Sequence, residues 1–232
     1  MVSQNNIYRV LGVMSGTSLD GVDFATCSFQ KNENWNFNIE KCTTTKYTKL
    51  WEDTLQNIHT KDKENIAKIN IEYGKYLGNL INTFLYENKV DFIASHGHTI
   101  FHNPDKNYTL QIGDGNAIAK TTKITTINDF RSLDVSLNGQ GAPLVPIGDL
   151  HLFSDYKYCI NLGGFANISI KESKSITAFD ICPVNIVMNE LSKELGEEYD
   201  ENGDFANKGN LIPELLETLN NLAFYHQKPP KS

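Results

Sequence analysis

The sequence predicts an α/β fold built from two related halves, the second of them incomplete. Three observations carry that prediction. Apolar residues alternate at a period of two up to residue 47 and recur at three and four from residue 64, so strands give way to a helix. Short strands then alternate with glycine-rich segments and a further helix, which is the pattern of an α/β domain. Finally, a strand, glycine turn, strand, strand, helix order occurs twice, about 150 residues apart, with almost no residue identity between the copies.

Residues 10–14 are an apolar run that ends in Ser15-Gly16-Thr17-Ser18-Leu19-Asp20-Gly21, and residues 22–29 and 35–47 read as the next two strands of a meander. In the third strand Trp35, Phe37 and Ile39 alternate with asparagines, as a half-buried strand requires. Over residues 64–89 the apolar positions Ile66, Ile69, Tyr73, Leu77, Ile81 and Phe84 mark one long amphipathic helix. Strands at 92–95, 108–112 and 124–127 follow, with a helix opening at Gly115 and with His96, His98 and His102 on the loops between. A second cycle begins with a strand at 158–161, the turn Leu162-Gly163-Gly164-Phe165, strands at 166–170 and 176–181, and a helix over 183–195 with Pro183 in its first turn. Topology therefore divides the chain into domains 1–127 and 128–232, the second ending abruptly.

A chain of 232 residues can bury roughly 70% of its unfolded surface and needs no disulfide or metal to hold a core. Its four cysteines lie far apart with no CxxC spacing, which points to a reducing, cytoplasmic setting. No run approaches the length of a membrane span, and the N-terminal apolar run is too short for a signal peptide. A net charge of −7 argues against a nucleic-acid partner. Arg9 and Arg131 are the only arginines, so any bidentate guanidinium contact to an anion falls to one of them.

Four segments carry candidate chemistry. Residues 15–23 place hydroxyls, two glycines and the carboxylates of Asp20 and Asp23 in one turn, which suits a phosphate cradle with hydrated Mg²⁺ beside it; the same string also fits a tight hairpin. It is not a Walker A motif. His96, His98 and His102 have a spacing that could ligate Zn²⁺ in a metal hydrolase, or could bring hydrogen-bonding imidazoles to a ligand. Asp129, at a strand end and two residues from Arg131, is placed either as a general base or as a cap of the next segment. Gly163 and Gly164 repeat the logic of the first turn, so that two turns facing each other would hold a polyphosphate from both sides.

Taken together, Gly12 to Asp23, Ser95-His96-Gly97, Gln111-Ile112-Gly113-Asp114, Asp129-Phe130-Arg131, Gly139-Gln140-Gly141-Ala142-Pro143 and Asn161 to Ile168 closely resemble, in order, the anhydro-N-acetylmuramic acid kinases. The resemblance implies an actin-like, ribonuclease H-like ATPase fold of two related domains with mixed sheets. It also implies a reaction of cell-wall recycling: water opens the 1,6-anhydro bridge of the sugar while ATP phosphorylates O6, giving N-acetylmuramate 6-phosphate. On that basis Asp129 is the catalytic base, and the ATP phosphates lie on Gly16, Thr17, Ser18, Leu19, Asp20, Gly21, Val22 and Asp23 with Gly163 and Gly164. Mg²⁺ is held through water by Asp20 and Asp23, and the sugar meets His96, Thr99, Arg131 and Asp180.

This sequence departs from the family pattern in three places. His98 stands where the family usually has Gln. The string Phe179-Asp180-Ile181-Cys182-Pro183-Val184-Asn185 replaces a threonine- and glycine-bearing one while keeping Asp180 and Asn185. Family members continue into a glycine-rich adenine site, so a fragment or truncation is expected. The alternative function is then sugar or nucleotide binding without turnover, and an uncovered edge strand favours a homodimer.

Overall fold

The computed structural model describes residues 7–16, 19–173, 175–229 and 231. It is a mixed α/β structure in two compact units, Met1–Leu144 and Val145–Ser232. That division falls later than the 127/128 boundary drawn from sequence. The reason is physical: the strand that ends at Asn128 pairs inside the first sheet, and Arg131 and Val135 beyond it are held by first-unit residues.

Unit 1 opens with the meander β1 (Ile7–Ser15), β2 (Val22–Lys31) and β3 (Trp35–Thr45). Two helices follow, α1 (Lys49–Asn57) and α2 (Lys63–Leu85), with Thr48 and Asp62 accepting from backbone N–H groups as their N-caps. The chain then forms β4 (Phe92–Asn103), β5 (Tyr108–Ile112), α3 (Gly115–Thr122), β6 (Thr126–Asn128) and α4 (Ser132–Ser136). The sheet order is β3-β2-β1-β4-β5, with β6 also on β4. β4 runs parallel to β1 and β6 and antiparallel to β5.

One face of this sheet carries Leu11, Val13, Phe24 and Ile93 against Leu55 and Ile58 and against the stripe Tyr73, Leu77 and Ile81 of α2. These side chains are almost entirely removed from water, each stabilising by about 1.5–3 kcal/mol. The other face leaves an open cavity of about 680 Å³ lined by small and apolar residues such as Gly12, Met14, Ala25 and Ala94, together with His96 and Phe130.

Unit 2 begins with α5 (Leu144–Leu152), whose first residue belongs to unit 1, and then repeats the meander as β7 (Tyr158–Leu162), β8 (Phe165–Lys171) and β9 (Ile176–Pro183) in the order β7-β8-β9. The helices α6 (Asn185–Glu194), α7 (Asp204–Lys208) and α8 (Pro213–Asn220) complete it. Pro183, expected in the first turn of a helix, is the last residue of β9 and pairs with Phe165. No helix among the described residues is long and apolar enough to cross a membrane. All four cysteines are free thiols on strands.

Candidate functional site

The parallel strands β1, β4 and β6 bring three candidate segments to one end of the unit 1 sheet. Ser15 is paired with Val22 across the first turn and with His98 on β4, while Ser95 is paired with Asn128 on β6. The turn and Asp129 therefore lie just past the carboxyl ends of β1 and β6, where open α/β sheets bind ligands, and His96 and His98 lie level with those ends on the longer β4.

The turn is built on a fixed base. Gly21 has φ +155° and no room for a side chain, since a Cβ would lie 2.5 Å from the Thr45 carbonyl oxygen. Leu19 takes φ +59° and packs against the core, and Val22, expected among the phosphate contacts, has its side chain fully buried in that core. The role left to Val22 is closure of the turn through its backbone. Thr17 and Ser18 lie outside the described residues. Asp20 and Asp23 are exposed, and Asp23 accepts a 2.5 Å hydrogen bond from Thr44 Oγ1. Burial, first, and the charges of both carboxylates raise the pKa of Tyr47. Two solvated carboxylates beside a turn suit Mg²⁺, which keeps much of its water.

The histidines are on a strand, not on loops, because β4 continues through Gly97. There φ is +74°, and a Cβ would overlap the Ile112 carbonyl. Their partners differ. His96 Nδ1 lies 2.9 Å from the Gly97 carbonyl oxygen and must donate to it, while Arg131 Nε donates to His96 Nε2 at 2.9 Å. This leaves a neutral imidazole, and burial, opposed by the Gly97 bond and aided by the Arg131 charge, lowers its pKa. His98 contacts Ser15 and His102 contacts Thr109. Among the described residues no three His, Cys, Asp or Glu side chains are grouped to hold a metal ion, which removes the geometric basis for the histidine-ligated hydrolase.

Arg131 was expected beside Asp129 and is instead turned to His96 and to the Gly141 carbonyl, 2.6 Å away. Asp134 holds that carbonyl in place by accepting from the Gly141 N–H at 2.6 Å. Asp129 is exposed, has φ +57° and accepts from the N–H of Ser132, the first residue of α4, at 3.3 Å, while Arg131 is the N-cap and the Asp129 carboxylate stays open to solvent. Asn128 beneath it lies so close to Gly115 at the start of α3 that a Cβ there would overlap the Asn128 carboxamide. Thr99 accepts from Gln111 Nε2 at 3.4 Å on the β4–β5 hairpin. Arg9, the other guanidinium, is paired with Glu40.

In unit 2 the Gly163 and Gly164 carbonyls accept from the N–H groups of Asn185, Val184 and Ile186 at the start of α6. A Cβ on either glycine would meet nothing nearer than 3.7 Å, so internal packing does not account for the missing side chains. Asp180 on β9 is half-buried, and burial raises its carboxyl pKa.

Two residues of the site lack a local sequence signature: Tyr47 and Tyr73, which join Ser15 in a hydroxyl cluster. The available signal for Tyr73 was a phenol among the otherwise hydroxyl-free buried positions of the helix stripe.

The family model for anhydro-N-acetylmuramic acid kinase matches residues 8–232. The chain belongs to this family. Proteins named anhydro-N-acetylmuramic acid kinase from Acinetobacter baylyi and Haemophilus influenzae are each 37% identical over 96% of the chain, which covers 62% and 61% of them. One from Bacillus cereus is 34% identical, with 96% of the chain and 64% of the relative covered. The chain thus spans a little over three-fifths of the length of the curated relatives it matches. Among solved structures, the ethanolamine utilization protein EutJ from Carboxydothermus hydrogenoformans aligns over 88% of this chain and 61% of its own at TM-score 0.35 and 12% identity, a likeness too slight to argue from.

Proposed function

We propose that the chain carries an ATP-dependent sugar kinase site acting on 1,6-anhydro-N-acetylmuramic acid. The observation that carries this reading is the set of three segments at one sheet end: the turn after β1, His96 held by Arg131 on β4, and the open Asp129 carboxylate after β6. Bound ATP would supply the γ-phosphoryl group, and Asp20 and Asp23 would hold Mg²⁺ through water, where the ion would supply charge neutralisation. Asp129 takes a proton from water as the water oxygen bonds to C1. The C1–O6 bond breaks, and O6 takes the phosphoryl group in place of a proton. Thr99 and Arg131 hold the sugar in line, and the neutral His96, with both ring nitrogens engaged, fixes the Arg131 guanidinium for that contact. Positioning supplies most of the rate in such a transfer. We assign Gly163, Gly164 and Asp180 to phosphate or sugar contacts, since a Cβ on either glycine would meet nothing nearer than 3.7 Å and internal packing leaves the close approach to a ligand as the use of a glycine there.

The test is to incubate the chain with MgATP and the anhydro-sugar and follow ADP and the sugar 6-phosphate by mass spectrometry. Asp129→Asn is expected to remove turnover while leaving MgATP affinity within a few-fold. Undiminished turnover by that variant removes Asp129 from the base role. The sparse burial in unit 2 favours a second reading, sugar or nucleotide binding without turnover, and the same assay separates the two: binding with no product selects it.

A further inference from the structure

Beneath the first turn lies a closed ring of hydroxyls that the reaction above does not use. Ser15 Oγ is 2.5 Å from the Tyr47 hydroxyl and accepts from the Tyr73 hydroxyl at 2.8 Å, and the two phenol oxygens are 2.8 Å apart. Three contacts must be filled by three hydroxyl protons. Each group therefore donates once and accepts once: Tyr73 to Ser15, Ser15 to Tyr47, and Tyr47 to Tyr73. With the Ser15 proton committed, its 3.2 Å contact with His98 Nδ1 makes the imidazole the donor. The ring thus selects one neutral tautomer of His98, with its hydrogen on Nδ1. Burial agrees, since it pushes the His98 pKa down to about 4.

Tyr73 stands mid-way along α2, fully buried, with its ring 5.1 Å from that of Trp51. A phenylalanine would fill the same space without the desolvation cost of a phenol. Its hydroxyl reaches the two residues that flank the turn: Ser15 closes β1, and Tyr47 follows β3, whose Thr44 holds Asp23. A rigid helix thereby reaches through the core to the mouth of a surface loop.

We propose that Tyr73 is a positioning residue for the phosphate-binding turn, holding Ser15 and Tyr47 so that Gly16 and residues 19–23 keep the geometry that binds MgATP. This inference rests on the nucleotide reading given above. Tyr73→Phe deletes one donor and one acceptor and leaves the packing intact. The expected result, by calorimetry on the 232-residue chain, is MgATP affinity about tenfold weaker, the scale of losing part of a buried hydrogen-bond network. Imidazole ¹⁵N shifts are expected to show one His98 tautomer in the parent chain and a mixture in the variant. Tyr47→Phe breaks the same ring from a half-buried position and is expected to act alike, and the double variant no worse than either single one. If Tyr73→Phe does not fold, Tyr47→Phe decides. A variant that loses thermal stability and the single tautomer while binding MgATP as tightly as the parent overturns the inference alone. A parent chain that binds no MgATP overturns the nucleotide reading and the inference with it.

Discussion

The two units start from the same meander and differ in what covers it. In unit 1 the long α2 presents eight buried positions, and fifteen residues form one core cluster. In unit 2 only Ala166, Ser169 and Ser192 are buried among the described residues, and Leu162, Leu191 and Leu211 are more than 60% exposed. In both, the first two strands pair in unbroken register. Strand pairing satisfies amides, but it does not by itself remove side chains from water, and the larger share of folding energy comes from the latter. The candidate residues inherit this contrast: those of unit 1 stand on a closed core, while Gly163, Gly164 and Asp180 stand on a sheet with little beneath it.

Truncating a matched pair of side chains probes the contrast most strongly. Phe24→Ala removes a ring stacked 5.3 Å from Phe84 and is expected to cost about 3–5 kcal/mol in urea unfolding. Ile160→Ala, 62% exposed on β7, is expected to cost less than about 0.5 kcal/mol. Equal costs would mean that unit 2 has a core of its own.

Acid gives the next largest effect. His98 is buried and neutral, with its pKa lowered to about 4 from 6.5. Between those values the unfolded chain binds a proton that the folded chain does not, so stability is fully present above about pH 6.5 and is lost as pH falls toward 4, by up to about 3 kcal/mol. His98→Gln, whose amide can still donate to Ser15, is expected to flatten that acid limb in melts taken from pH 7 to 4. A limb unchanged in the variant would assign the loss to other groups.

The smallest comparison sets one glycine turn against the other. Gly21→Ala forces a methyl against the Thr45 carbonyl and is expected to destabilise by about 1–3 kcal/mol. Gly163→Ala makes only an ordinary van der Waals contact, 3.7 Å from the Phe165 carbonyl oxygen, and is expected to be nearly neutral in stability while weakening ligand binding. A neutral Gly21→Ala would show that the turn gives way easily.

Particular residues show what was legible in the sequence. α2 was readable because one face is buried along its whole length, which imposes the helical period on Ile66, Tyr73, Leu77 and Ile81. α1 was not, because Leu55 is its single buried residue and leaves no stripe. The strand expected at 92–95 runs on to Asn103; histidine and glycine do not look like strand residues, although only a glycine could carry the chain past Ile112. In the candidate site the order of motifs could be read, but the partners could not. Arg131 bonds to a histidine 35 positions away and Tyr73 to a serine 58 away, and no local pattern encodes such pairings.

The close approach of Gly115 to Asn128 ties the first residue of α3 to the residue just before Asp129. A lineage that acquired a larger residue at 115 would have to shrink or redirect 128 in the same step or displace its acid. The two positions are therefore expected to drift together, as a correlated pair, wherever this carboxylate keeps its place.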